Sequence, residues 1–243
     1  MKVAVILPAA GLGTRMGKGT AEKTGTSRKQ FMLLEGSPIL MHTVRKFTDC
    51  PRVSEIVVAV RAEDVDWVGD LLSRGFPGAN VRAVEGGNSR QQSVGNALSA
   101  IDATTDLVAV HDAVRPFIDA GTIEKVLDEA VETGAAIVAV PAVDTVKQVS
   151  RGTGRVRVRA TLQRDKLVMA QTPQVFRYDI LQRAFESARA DGFIGTDEAS
   201  LVERLDVEVS VVMGSDRNIK ITKPGDMDLA HLFLREQITR DAQ

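Results

Sequence analysis

The stretch Val3-Ala4-Val5-Ile6-Leu7-Pro8-Ala9-Ala10-Gly11-Leu12-Gly13-Thr14-Arg15-Met16-Gly17 decides the fold. Its continuous apolar run predicts a strand buried on both faces, and the glycines that follow predict a turn at the strand's carboxyl end. Ligands sit at that end of the strands in open α/β sheets. Gly11 and Gly13 let main-chain N–H groups approach an anion with no side chain in the way, and Arg15 adds a charged fork suited to phosphate oxygens. The stretch reads as a phosphate cradle, although a glycine-rich turn alone does not require a ligand. A nucleoside-triphosphate P-loop needs four residues between its glycines and then Gly-Lys-Ser/Thr, whereas three separate Gly13 from Gly17, and Lys18 precedes Gly19. A dinucleotide fingerprint needs glycine where Met16 stands and an acidic residue where Arg61 ends the second strand, with Glu63 only near it.

Outward from this stretch, valine-rich runs at Ile56–Arg61, Val81–Val84, Leu107–His111 and Ala136–Val140 predict further buried strands. Between them Ile39–Phe47, Val65–Leu72, Ser93–Ile101 and Thr122–Val131 carry apolar residues at helical spacing. This alternation predicts an α/β fold: a Rossmann-like, doubly wound, mostly parallel sheet in one domain spanning 1–243. Residues 144–164 break the rhythm. Val146, Val149, Val156 and Val158 alternate with polar residues around Arg151-Gly152-Thr153-Gly154, predicting a hairpin arm. Lys147, Arg151, Arg155, Arg157 and Arg159 are too many charges for the main sheet, so the arm either projects into solvent or packs on another subunit. Beyond it the pattern predicts helices at Tyr178–Arg189 and Asp197–Arg204, a strand at Val207–Val212, a short strand at Asn218–Thr222 and a closing helix opened by Pro224.

The 31 basic and 32 acidic side chains give a net charge of −1, so no global field favours nucleic acid or an anionic membrane surface. Phosphate recognition has to be local. No run approaches the roughly 20 apolar residues of a membrane span, and the first residues lack a signal-peptide pattern. Cys50 is the single cysteine; it excludes an internal disulfide and reads as a small buried residue, which fits a cytoplasmic protein.

The ordered pieces Pro8-Ala9-Ala10-Gly11-Leu12-Gly13-Thr14-Arg15-Met16, Lys29-Gln30, residues 85–94 (EGGNSRQQSV), residues 111–116 (HDAVRP), Asp144-Thr145-Val146-Lys147, Thr172-Pro173-Gln174, residues 196–200 (TDEAS) and residues 218–222 (NIKIT) together resemble the 2-C-methyl-D-erythritol 4-phosphate cytidylyltransferases. The resemblance covers nearly the whole chain. It implies transfer of CMP from CTP to a polyol phosphate, with Mg²⁺ or another divalent cation held mainly through the CTP phosphates. It implies that Arg15, Lys29 and Lys220 stabilise the reacting phosphates. Pro8, Ala9, Ala10, Gly11, Gly13, Gly87, Asn88, Ser93, Asp112 and Ala113 match nucleotide-binding positions. Asp112, Thr145, Arg164, Thr172 and Thr196 match positions that bind the polyol phosphate, the arm residues reaching the site of a partner subunit in a homodimer. Ribitol 5-phosphate cytidylyltransferases resemble the same motifs, and a non-catalytic CTP-binding regulator is the reading from another class.

Two departures stand out: the family commonly has Pro-Lys-Gln where this chain has Arg28-Lys29-Gln30, with a shorter loop before it, and often has Asp where Asn88 stands. Read on their own residues, His111 is structural, Arg115 fixes a turn or an internal carboxylate, Ser93 serves equally well as a helix cap, and Asp197 with Glu198 fits N-capping.

Overall fold

The structure, a computed structural model, describes residues 1–11, 28–152 and 154–241. In chain order the strands and helices are β1 (Val3–Pro8), β2 (Leu33–Leu34), β3 (Ser37–Pro38), α1 (Ile39–Thr48), β4 (Val53–Val60), α2 (Val65–Gly75), β5 (Val81–Glu85), α3 (Arg90–Leu98), β6 (Leu107–Val110), α4 (Ala120–Thr133) and β7 (Ala135–Pro141). They continue with β8 (Lys147–Gly152), β9 (Arg155–Thr161), β10 (Val168–Arg177), α5 (Tyr178–Asp191), α6 (Glu198–Glu203), β11 (Ser210–Met213) and α7 (Pro224–Asp241). Among the described residues the main sheet has seven strands in the order β11-β7-β10-β6-β1-β4-β5. The chain steps outward from β1 to β4 and β5, then returns to pair β6 on the other side of β1. That reversal opens a crevice at the carboxyl end of β1, where sheets of this kind bind ligands.

Period-two alternation explains why helices cover both faces. Val3, Val5 and Leu7 pack with α1, α2 and α4, whose contributions include Phe47, Leu72 and Leu127. Ala4 and Ile6 point the other way, among residues of α3, α5 and α6 such as Val94, Phe185 and Val202. A strand buried on both sides reads as a continuous apolar run, and this one does. The predicted α/β class and mostly parallel sheet are borne out.

Strand β10 was not visible in the sequence. Pro173 lies in its middle, and proline argues against a central strand because it cannot donate to the ladder. The sheet accommodates it with a register shift between Ala170 and Gln174 in the β7 pairing, after which Gln174–Arg177 also pair with β6. Both pairings are antiparallel. The bulge leaves Gln171 and Thr172 bonding to other segments instead of the ladder.

The predicted strand at 218–222 is a second correction. The segment joins no sheet; its backbone-to-backbone bond to the loop after β6 is the Ile221 N–H on the Val114 carbonyl at 3.0 Å. Ile221 is fully buried in a small cluster with Leu34, Ile39 and Ala230. The arm forms as predicted: β8 and β9 pair antiparallel as a separate two-stranded sheet, and Gly154 takes φ +86° in the turn between them. Among the described residues no helix is long and apolar enough to cross a membrane.

Candidate active site

A cleft of about 600 Å³ lies at the carboxyl ends of β1, β4, β5 and β6. Pro8, Ala9, Ala10 and Gly11 form one wall and the loop Glu85–Arg90 another, and Lys29, Asp112, Ala113 and Lys220 also line the cleft. Main-chain bonds run from Ala9 N–H to the Ala59 carbonyl at 2.7 Å and from Gly86 N–H to the Val60 carbonyl at 2.6 Å, so both walls hang on β4. A Cβ at Gly86 would lie 2.9 Å from the Ala10 Cβ and 3.1 Å from the Val60 carbonyl oxygen. Only glycine lets the two walls approach this closely.

Ser93 holds the Gly87 loop from below. Its hydroxyl accepts from the Gly87 N–H at 3.0 Å and donates to the Ser89 carbonyl at 2.8 Å. The helix cap is Ser89, whose side chain accepts from the Gln92 N–H, which corrects the capping alternative for Ser93. The Gln92 side chain accepts from the Asn88 N–H at 2.9 Å and orders the rest of the turn. Gln30 performs the same service opposite. It is 2% exposed, and its amide donates to the carbonyls of Ala9 and Gly11 at 2.6 and 3.1 Å.

At the inner end sits an ionic cluster. The Asp112 carboxylate receives Lys220 Nζ at 2.8 Å, Arg90 Nε at 3.2 Å and Arg115 Nε at 3.5 Å. Burial alone raises a carboxyl, but the charges of Arg90 and Lys220 outweigh it and hold Asp112 well below the usual carboxylate range. Arg90 also grips Glu198 through one nitrogen, 2.7 and 2.8 Å from the two carboxylate oxygens. Asp197 caps α6 in a reciprocal capping box with Ser200, and Glu198 stands in the first turn as expected of an acidic residue at a helix start; Glu198 is also 1% exposed and partnered by Arg90, which its local context did not show. Lys220 reaches the cluster because its neighbours are clasped. Arg115 donates to the Asn218 carbonyl at 2.6 Å, and Asn218 donates to the Thr172 carbonyl at 2.9 Å. Arg115 therefore fixes an internal carboxylate and a turn, as its sequence context suggested.

His111 is fully buried. Its Nε2 lies 3.0 Å from the Arg115 carbonyl, which can only accept, so Nε2 carries the proton and Nδ1 accepts from the Thr172 hydroxyl at 3.2 Å. Thr172 in turn accepts from the Asp112 N–H at 3.0 Å. Burial pushes the imidazole down from 6.5 to about 4. Because the unfolded chain then binds the extra proton first, stability present above pH 6.5 is lost as pH falls from there toward 4. The Asp112 contribution is lost only at still lower pH, below the unfolded carboxyl value near ~3.9. Urea unfolding is expected to give lower stability at pH 5 than at pH 7, and His111→Gln is expected to flatten that difference. An undiminished difference in His111→Gln would assign the proton to another group.

Of the residues named from sequence, Lys29, Lys220, Asp112, Ala113, Pro8, Ala9, Ala10, Gly11, Gly87, Asn88 and Ser93 line one cleft. Arg15 and Gly13 lie outside the described residues. Thr172 lies beneath Asp112, 4% exposed. Thr145 and Thr196 are exposed, and Arg164 donates to the Val143 carbonyl at 2.7 Å at the base of the arm; among the described residues none of these three lines the cleft. The residues sequence reasoning passed over are Gln30 and Asn218, buried polar side chains whose partners lie far away in the chain. Their only signal was membership of a motif.

A glycine-walled cleft at the switch point of a doubly wound sheet, lined by Lys29 and Lys220, suits a nucleotide and its phosphates, the substrate of a nucleotidyltransferase. The chain matches the family IspD: 2-C-methyl-D-erythritol 4-phosphate cytidylyltransferase over residues 3–236, and it belongs to that family. It is 77% identical to the 2-C-methyl-D-erythritol 4-phosphate cytidylyltransferase of Solibacter usitatus over 240 residues, covering 99% of this chain and 98% of that one. The protein of the same name from Acidobacterium capsulatum is 51% identical, covering 99% of this chain and all of its own. Among solved structures, the 4-diphosphocytidyl-2C-methyl-D-erythritol synthase of Anaerococcus prevotii superposes with a TM-score of 0.81 at 29% identity, covering 96% of each chain.

Proposed function

We propose that this protein transfers CMP from CTP to 2-C-methyl-D-erythritol 4-phosphate, giving 4-diphosphocytidyl-2-C-methyl-D-erythritol and pyrophosphate. The observation that carries this reading is that Lys29, Lys220 and Asp112 line the same cleft as the two glycine loops. An oxygen of the substrate phosphate attacks the α-phosphorus of CTP in line, a new P–O bond forms, and the bond to the β-phosphate bridging oxygen breaks to release pyrophosphate. No strong base is needed, because the attacking oxygen is already anionic. The protein's work is to align the two reactants and to neutralise charge that grows on the transferring and departing phosphates. Lys29 and Lys220 supply fixed positive charge there, with Arg15 joining them on the family pattern. Asp112, 2.8 Å from the Lys220 ammonium, keeps it aimed.

The expected Mg²⁺ does not fit a resident protein cage. Asp112 already receives three cations, and the described residues contain no group of three or more His, Cys, Asp or Glu able to hold a metal. In the proposal the ion arrives on the triphosphate oxygens as part of the substrate. A cytoplasmic setting belongs to the same reading and is supported by the lone, buried Cys50.

The polyol-phosphate half of the site is proposed to be completed by a second copy of the chain through the arm. Val156 and Val158 on β9 are 65% and 63% exposed, and Met169 on β10 is 58% exposed, alongside basic side chains. Apolar area left open beside cations on the arm and on the start of β10 suits a partner better than water. Arg164→Ala and Lys220→Ala are each expected to be nearly inactive alone. Co-expressed, they are expected to recover about a quarter of the unmodified turnover, because about half of the randomly assorted dimers regain one intact site. No recovery in a verified mixed dimer would return Arg164 to its own subunit.

Pyrophosphate release measured with CTP, UTP and ATP against methylerythritol and ribitol phosphates, with and without Mg²⁺, tests the whole reading. Turnover is expected only with CTP, the methylerythritol phosphate and the metal. Turnover with ribitol 5-phosphate alone would replace the substrate, and CTP binding with no pyrophosphate from any acceptor would favour a regulatory protein.

A further inference from the structure

Lys29 sits on a single 3₁₀ turn, Lys29–Phe31, a structure too short to hold itself in place. The residue after it, Gln30, is fixed to the Ala9 and Gly11 carbonyls. The residue before it, Arg28, forms an ion pair with Asp64, which is 2% exposed and belongs to the turn between β4 and α2. The second Asp64 oxygen accepts from the Trp67 indole N–H at 2.8 Å. The Trp67 ring meets Phe31 edge-on with centroids 4.7 Å apart, and the Arg28 guanidinium lies 5.1 Å from the Phe31 ring centroid. The four side chains Arg28, Phe31, Asp64 and Trp67 thus form a closed circuit around the turn that carries Lys29.

From this circuit we propose that Asp64 and Arg28 are positioning residues for the transfer reaction: the ion pair, steadied by Trp67 and Phe31, fixes the backbone of Lys29 and hence the placement of its ammonium at the CTP phosphates. Burial gives the pair its force, since a buried carboxylate held by two donors has one stable arrangement, unlike an ion pair in open water. Arg28 stands where the family pattern has proline, and its φ of −83° is close to the angle a proline ring imposes. In this chain a side-chain clamp does by contact what a ring does by covalent geometry. Gln30 anchors the turn to the loop after β1 and Arg28 anchors it to the turn after β4, so Lys29 is held relative to the wall formed by residues 8–11 and to the end of β4.

The inference rests on the cytidylyltransferase reading; turnover by the unmodified protein tests that reading, and the ratio of variant to unmodified rates tests the clamp, so the two fail separately. Arg28→Ala is expected to lower kcat/KM for CTP by about tenfold or more, the scale on which small misplacement of a charge-stabilising group acts. The KM for the polyol phosphate is expected to stay within about twofold, because its contacts lie elsewhere. Arg28→Lys, whose ammonium still reaches Asp64, is expected to recover most of the loss. Asp64→Asn is expected to reproduce the loss. Should it unfold, Trp67→Phe carries the test, since it removes the N–H on Asp64 while keeping a ring against Phe31. Unmodified kcat/KM for CTP in folded Arg28→Ala or Trp67→Phe would overturn the proposal, as would equal losses in Arg28→Ala and Arg28→Lys.

Discussion

Lys220→Ala is expected to lower kcat by about 10²–10³-fold, the usual effect of removing one fixed charge-stabilising donor from a reacting centre, while the folded structure survives. The side chain is one-third exposed, so its removal leaves no buried cavity. Asp112 keeps Arg90 and Arg115 as counter-charges, so no carboxylate is stranded. The clasp around the segment does not use the Lys220 side chain either: Ile221 N–H still bonds to Val114, and Asn218 still bonds to Thr172. The loss therefore falls on the chemical step. Pyrophosphate release under saturating substrates measures it, and thermal unfolding within a few degrees of the unmodified protein separates it from misfolding. A kcat within threefold of normal would remove Lys220 from the mechanism.

Arg90→Ala is expected to act on stability instead, by about 3–5 kcal/mol, the cost of leaving buried carboxylates without their partner. Glu198 loses both of its bonds from Arg90, and Asp112 loses one of its cations. Against a total of about 5–15 kcal/mol for a typical domain, this threatens soluble expression. The double variant Arg90→Met/Glu198→Gln removes both ends of the interaction, and its cost is expected to be less than the sum of the two single changes. Denaturant unfolding of the four proteins closes the cycle; strict additivity would mean that the pair contributes nothing as a pair.

These two effects divide along a line that also separates what the sequence made legible from what it did not. Elements with unbroken periodicity were readable: β1, β4, β6 and β7 were evident because residues buried on both faces leave no polar interruption, and α4 because its apolar residues recur at three and four. Strand β10 was not, since Pro173 and the flanking glutamines carry the marks of a loop and only a bulge reconciles them with the sheet. The segment at 218–222 looked like a strand because Ile219 and Ile221 alternate with polar residues, yet no strand pairs with it and its ties are separate bonds such as Ile221 to Val114 and Asn218 to Thr172. Lys29, Lys220 and Asp112 could be named from motifs. That Asp112 and Lys220 are in contact could not, because no spacing encodes a pairing across 108 positions. Glu198 misled for a related reason: an acidic residue at a helix start already has a sufficient local explanation, and nothing nearby announces a distant arginine.

The clasp that brings Lys220 home has a bearing on the order in which the molecule acquires its properties. Every strand of the main sheet ends by Met213, and Lys220 follows it. During synthesis, which runs from the amino end, the nucleotide cleft's glycine walls and Asp112 can be made before Lys220, the cation that pairs with Asp112. Competence for chemistry thus follows completion of the sheet, and a nascent chain stopped after β11 is expected to have the sheet strands without the cation its reaction depends on.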